Sequence, residues 1–191
     1  MTDASARSSE PRGPGSHPSA THESPDSAPF ACVRIALGSN LGDRDDQLRR
    51  ARHSLEERQW VVRQRCSSIF ETAPVGPPQP HYLNQVLVGW TSLDPAKLLQ
   101  RIKALEVDLG RVPGPRWGAR HIDIDLLDLD GCSYRSPDLI LPHPEILERS
   151  FVLEPWAEVE PDYRLPGEER TIAELWNAHQ QALLLEEKPS R

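Results

Sequence analysis

The stretch Tyr82–Gly110, YLNQVLVGWTSLDPAKLLQRIKALEVDLG, reads as a strand that hands over directly to a helix. Tyr82 to Leu93 is apolar and β-prone, and Asp94-Pro95 is a helix start, with a side-chain cap followed by a ring that needs no backbone partner in the first turn. The helix runs to about Leu109 and stops at Gly110, which suits a left-handed C-terminal cap.

Upstream, Ala31 to Leu37 is a short, mostly apolar strand that breaks at Gly38-Ser39-Asn40. Asp45 to Glu57 is helical, with Leu48, Ala51 and Leu55 on its apolar face. Trp60 to Glu71 reads as one strand, followed by the proline-rich loop Pro74 to Pro80. Downstream, His121 to Leu129 is a strand that turns at Asp130-Gly131. A short helix near Glu145 to Glu148, a strand from Phe151 and a last helix from Thr171 follow. The first four strands and two helices have the order β-α-β-β-α-β. That predicts an α+β, ferredoxin-like core: an antiparallel sheet with helices packed on one face, extended by a C-terminal hairpin and helix.

Residues Met1 to Pro29 hold no Leu, Ile, Val or aromatic residue and are rich in Ser, Pro and charge. A segment of this composition cannot offset its ordering entropy by burial, so residues 1–29 are expected to be a disordered tail and residues 30–191 one folded domain. The net charge of −7 argues against a nucleic-acid scaffold. Cys32, Cys66 and Cys132 form no CxxC pair, so no disulfide framework or cysteine zinc site is expected. There is no apolar run of membrane-spanning length and no signal-peptide pattern, which makes a cytoplasmic protein the expectation.

The chemistry concentrates in Arg111 to Leu127, RVPGPRWGARHIDIDLL. Asp123 and Asp125 sit two apart in a strand and project from one face, while Ile122, Ile124 and Leu126 point to the other. Two hard oxygen ligands so placed suit Mg²⁺, which favours carboxylates together with substrate phosphates. The spacing alone equally fits a half-exposed strand, although Asp is a poor strand former and like charges on one face repel. Just upstream, Arg111, Arg116 and Arg120 stand with no acidic residue between Arg111 and His121. Arginine forks bind phosphate oxygens bidentately. Trp117, flanked by Gly114 and Gly118, either covers a site when substrate arrives or anchors the loop on the core. No GxxxxGK[ST] or GxGxxG sequence is present, so phosphates must be held by side chains and metal.

Four segments, LGSNLGDR, FETAPVG with YLN shortly after, RWGARHIDIDLL and LPHPEILERSFVLEPW, resemble in order and spacing the 6-hydroxymethyl-7,8-dihydropterin pyrophosphokinase family over Val33 to Tyr163. The resemblance implies transfer of pyrophosphate from ATP to the hydroxymethyl group of the pterin, with two Mg²⁺ ions and with ATP and the pterin as partners; no nucleic acid or membrane partner is expected, and a monomer is the expected state. It implies that Asp123 and Asp125 hold the metal ions, and that Arg111 and Arg120 act with them in catalysis. Tyr82 and Phe151 would be the aromatic walls around the flat pterin, Asn84 the amide reading its edge, and Thr72 and Val75 backbone contacts. Arg111, Arg116, Trp117 and Arg120 would close over the triphosphate, with Glu106, His143 and Arg149 as further ATP contacts. Taken singly, Tyr82 and Phe151 also fit plain core packing, and His143 between two prolines a structural role. Two positions depart from the family pattern: Pro113, where many members carry a further arginine, and Ala119, where a proline is common. Both bear on loop stiffness and phosphate grip. The rival readings are a metal-dependent nucleotide phosphohydrolase, which has no use for the aromatic pair around Asn84, and a noncatalytic module on the same fold.

Overall fold

A computed structural model of the chain describes residues 30–112, 114 and 118–186. The tail, Pro113, Arg116 and Trp117 lie outside the described residues. The expected strand-to-helix handover is present: β1 spans Ala31–Ser39, α1 Arg44–Glu57, β2 Val62–Cys66, β3 Phe70–Thr72, β4 Tyr82–Thr91, α2 Pro95–Asp108 and β5 Asp123–Leu129. The Asp94 carboxylate accepts from the Lys97 amide at 2.9 Å, Pro95 occupies the first helical turn, and Gly110 ends the helix region at φ +95°. The main sheet is antiparallel, in the order β2-β4-β1-β5, with β3 also on β4. That is the ferredoxin-like arrangement.

The single strand expected over Trp60 to Glu71 is two strands. The chain bends at Arg63, which has φ +53°, and leaves the ladder again after Cys66. Ser67 stands in for a ladder residue: its amide donates to the Val86 carbonyl (2.9 Å) and its hydroxyl accepts from the Val86 amide (3.1 Å). β3 then resumes pairing beside Asn84 and Tyr82.

The expectation of helices on one face is incomplete. Leu48 and Leu55 of α1 and Leu98, Ile102 and Leu105 of α2 pack on Ile35, Leu87 and Ile124, all fully buried. The opposite face is covered as well. The segment expected to begin a strand at Phe151 is a helix, α3 (Ser150–Val159), whose Val152, Leu153 and Trp156 pack on Val86, Val88 and Leu127 together with Ile172 and Leu175 of the last helix, α4 (Ile172–Glu186). The extra hairpin is small, β6 (Tyr134–Arg135) against β7 (Ile140–Leu141), and stands apart from the main sheet. Expected at Glu145 to Glu148, the short helix is a single 3₁₀ turn at Ile146–Glu148. The three cysteines are free, and no helix of the described residues is long and apolar enough to cross a membrane.

Candidate active site

α3 and α4 do not cover the whole second face. At the end of the sheet nearest the α3 N-terminus, the register sets Asn84 beside Gly38 and Gly38 beside Asp123, with Ala36 beside Asp125 one step along. The two central residues have almost no side chain, so the three strands form the floor of a cavity of about 360 Å³. Strand alternation thus carries Asp123 and Asp125 to the cavity while Ile124 and Leu126 go to the α1/α2 core, as the pattern predicts.

Part of the cavity lining is largely apolar. Tyr82, Phe151 and Val75 line it, together with Thr72 and Asn84. Phe151 faces the cavity from the first turn of α3, although it was expected on a strand. Asn84 is 6% exposed, and its Nδ2 donates to Thr72 Oγ1 at 2.7 Å. That bond fixes the amide. Burial, and then the charge of Asp123, push the Tyr82 phenol up, so it stays a donor, and it donates to the Gly118 carbonyl at 3.2 Å.

Another part is charged. Arg111 and Arg120 both donate to Asp123 Oδ1, at 2.8 and 2.7 Å, and Arg149 donates to Asp125 Oδ2 at 3.0 Å. Arg149 also pairs with Glu145, and its guanidinium lies 5.6 Å from the centre of the Phe151 ring. Among the described residues these arginine bonds fall on one oxygen of each aspartate. His143 lines the cavity as well, and burial pushes its imidazole down against the pull of Asp125, which favours the neutral ring.

Glu106 and Arg111 are not in the cavity lining. Glu106 is 1% exposed, accepts from the Ile124 amide at 2.8 Å, and pairs with Lys103 and Arg111. Burial pushes its carboxyl up, with the neighbouring cations opposing. Arg111 bridges Glu106 and Asp123. Several lining residues were not named as site residues from the sequence, Gly38 and Glu145 among them. Glu145 was within reach, since it stands four residues before Arg149 in the PHPEILER segment. Gly38 had no such signal. An added Cβ there would stand 3.3 Å from Asn84 Oδ1 and 3.6 Å from Tyr82 Cδ1. Gly38→Ala is expected to weaken binding of a planar ligand about fivefold, as mild overpacking of ~1 kcal/mol implies. Calorimetry showing unchanged affinity would put the ligand elsewhere.

The donor set fits Mg²⁺. Two carboxylates share one wall, and among the described residues no group of three or more His, Cys, Asp or Glu forms a metal cage, so further oxygens would come from water and a phosphate-bearing ligand. A cavity that combines aromatic side chains with carboxylates and guanidinium groups has the makings of a group-transfer site. Residues 34–161 match the family model 7,8-dihydro-6-hydroxymethylpterin-pyrophosphokinase. The chain belongs to that family. It is 44% identical over 126 residues to the 2-amino-4-hydroxy-6-hydroxymethyldihydropteridine pyrophosphokinase of Bacillus subtilis, covering 65% of this chain and 75% of the relative. It is 42% identical over 128 residues to the mitochondrial folate synthesis bifunctional protein of Arabidopsis thaliana, covering 66% of this chain and 23% of that protein. The fold matches the crystal structure of wild-type Plasmodium falciparum HPPK-DHPS with pteroate at a TM-score of 0.65 and 15% identity, over 81% of this chain and 43% of that longer one.

Proposed function

We propose that this chain transfers a pyrophosphoryl group from ATP to 6-hydroxymethyl-7,8-dihydropterin, as its family does, in folate biosynthesis. The observation that carries the reading is the row Asn84, Gly38, Asp123 across three adjacent strands, which sets an edge-reading amide and a metal-binding carboxylate on either side of one open floor. Tyr82 and Phe151 stack on the pterin, a contact worth about 0.5–1.5 kcal/mol for each aromatic pair. The Thr72-held Asn84 amide reads its polar edge, and the backbone of Thr72 and Val75 completes the pocket. Arg111, Arg120 and Arg149 exchange their aspartate contacts for phosphate oxygens, with His143 as a further ATP contact and Glu106 steadying Arg111; Arg116 and Trp117 are assigned to ATP by the family likeness alone. Asp123 and Asp125 hold two Mg²⁺ ions, whose chemistry is to neutralise triphosphate charge and polarise the transferring group.

The pterin's hydroxymethyl oxygen attacks the β-phosphorus of ATP in line, the bond from that phosphorus to the α-phosphate oxygen breaks, and AMP leaves while the hydroxyl proton is lost to solvent. Positioning and charge neutralisation supply most of the acceleration. The working form is a cytoplasmic monomer.

Measuring AMP formation from ATP with and without the pterin tests this. Pterin-dependent AMP supports it, AMP without pterin favours a phosphohydrolase, and none in either case a noncatalytic module. Phe151→Ala is expected to weaken pterin binding about tenfold, or ~1.4 kcal/mol, and ATP binding by about twofold at most. Equal losses for both ligands would make Phe151 a packing residue.

A further inference from the structure

Glu145 lines the cavity together with Asp125, Arg149 and Phe151, and neither ligand is assigned to it. A carboxylate in a cavity that receives a triphosphate opposes the ligand by its charge unless it serves another group. The local chain shows which group that is. His143 to Arg149 is a tight turn. The Ile146 amide donates to the His143 carbonyl, the Glu148 amide to the Glu145 carbonyl and the Arg149 amide to the Ile146 carbonyl, each at 3.3 Å. Ile146, 1% exposed, anchors the turn in the α3/α4 core. The Glu145 amide also donates to His143 Nδ1 at 3.2 Å. Glu145 and Arg149 thus stand one turn apart on a fixed backbone, with the acid N-terminal to the cation, the favourable order for such a pair.

Arg149 is held by two carboxylates. Its Nη1 donates to Asp125 Oδ2 at 3.0 Å, its Nη2 pairs with Glu145 Oε2, and its side chain is 16% exposed. The two anchors differ in what else they do. Asp125 is a proposed metal ligand, and a carboxylate committed to a cation is a poorer acceptor for a guanidinium. Glu145 is then the carboxylate that still fixes Arg149. A long arginine side chain has much rotamer freedom to lose, and a ligand that must itself order that side chain binds more weakly.

We infer that Glu145 is a positioning residue, which keeps the Arg149 guanidinium set for phosphate oxygens while Asp125 serves the metal. It acts through Arg149 and touches no reacting atom. Its charge is matched by the guanidinium, so the triphosphate meets a paired carboxylate, and the pre-ordering of Arg149 outweighs the remaining repulsion.

This rests on the reading of the site as a pterin and ATP site, and the experiment separates the two. Calorimetry gives the dissociation constant of α,β-methylene-ATP with magnesium, and of 6-hydroxymethyl-7,8-dihydropterin at saturating nucleotide. The proteins are the wild type, Glu145→Ala, Glu145→Gln, Arg149→Ala and the double variant Glu145→Ala with Arg149→Ala. The Glu145 side chain is 36% exposed, so its variants should fold and melt close to the wild type. Glu145→Ala should weaken nucleotide binding about threefold or more, with pterin affinity changed by about twofold at most. Glu145→Gln keeps an acceptor for Nη2 without the charge and should recover part of the loss. In the double variant the loss should match that of Arg149→Ala within about twofold, because the two side chains act as a unit. In turnover, Glu145→Ala should raise the Michaelis constant for ATP by more than it lowers kcat. Unchanged or tighter nucleotide binding by Glu145→Ala overturns the inference and makes Glu145 a charge that merely opposes the ligand. An equal loss with and without Arg149 overturns it too, since Glu145 would then act on its own. A wild type that binds neither ligand would overturn the site reading instead.

Discussion

Asp123→Ala and Asp125→Ala should each remove nearly all turnover, by about 100-fold or more, while the chain stays folded. The loss corresponds to ~2.7 kcal/mol of transition-state stabilisation, modest for the proposed role of holding a cation on the transferring phosphates. Folding should survive because both side chains are only part-buried, at 26% and 29% exposed, and stand apart from the apolar core on the α1/α2 side. The two variants differ in what they release. Asp123→Ala removes one carboxylate partner from both Arg111 and Arg120, whereas Asp125→Ala removes one from Arg149 alone, and Arg111 and Arg149 keep Glu106 and Glu145. Magnesium-dependent nucleotide binding, followed by calorimetry, should weaken in both. Either variant keeping more than about a tenth of the wild-type rate would sink the metal role, since tenfold is only ~1.4 kcal/mol.

The features that were legible in the sequence are those set by local chemistry. Asp94-Pro95 and Gly110 bound α2 through cap and φ effects that act within a few residues, and the alternation of Asp123 to Leu126 sorts carboxylates from core with no knowledge of the partner strands. The α3 segment misled for a physical reason. Phe151-Val152-Leu153 is a continuous apolar run, which periodicity cannot assign, and Pro155 argues against a helix interior. Packing of Val152, Leu153 and Trp156 on the second sheet face overrides both signals. The break at Ser67 was hidden likewise, because it depends on hydrogen bonds to Val86. Glu106 illustrates the remaining gap. Family likeness put it on the nucleotide side, and the fold buries it behind Arg111, where it shapes the charge of the site without lining it. Contacts that span the chain, such as Asn40 with Arg120, leave no mark in a local pattern.

Arg34 is the strongest case of such long-range dependence, and Arg34→Ala should destabilise the protein by about 3–5 kcal/mol. It is a charged residue in an apolar strand, and its partners lie 94 and 126 positions away. Its guanidinium donates to Asp128 at 3.1 Å and, as a fork, to Glu160 at 2.9 Å through both Nε and NH2, with its carbon 3.8 Å above the centre of the Tyr163 ring. Asp128 also accepts from the Tyr163 hydroxyl at 2.7 Å, and Glu160 from the Trp156 indole at 3.3 Å. Burial would lower the arginine's pKa, but the hydrogen bond and charge of Glu160 win, and the net direction is up. The side chain of Asp128 is 0% exposed, so truncating Arg34 leaves a carboxylate in the interior without its cation, with only the Tyr163 hydroxyl and the Gly131 amide to offset its desolvation. The effect should be graded through the fold. Glu160 closes the C-terminal end of α3, the helix whose first turn presents Phe151 to the cavity, so hydrogen exchange should rise in α3 before it rises in α1 or α2. Thermal unfolding should show a fall of about 6–20 °C, at ~2–4 °C per kcal/mol for a chain of this size. Replacing cation and anion together, as Arg34→Met with Asp128→Leu, should recover much of the loss, because the cost lies in the unpaired charge rather than in the absent bond. A single variant that melts within about 2 °C of the wild type would mean that water reaches Asp128 and that α3 is held by its apolar face alone.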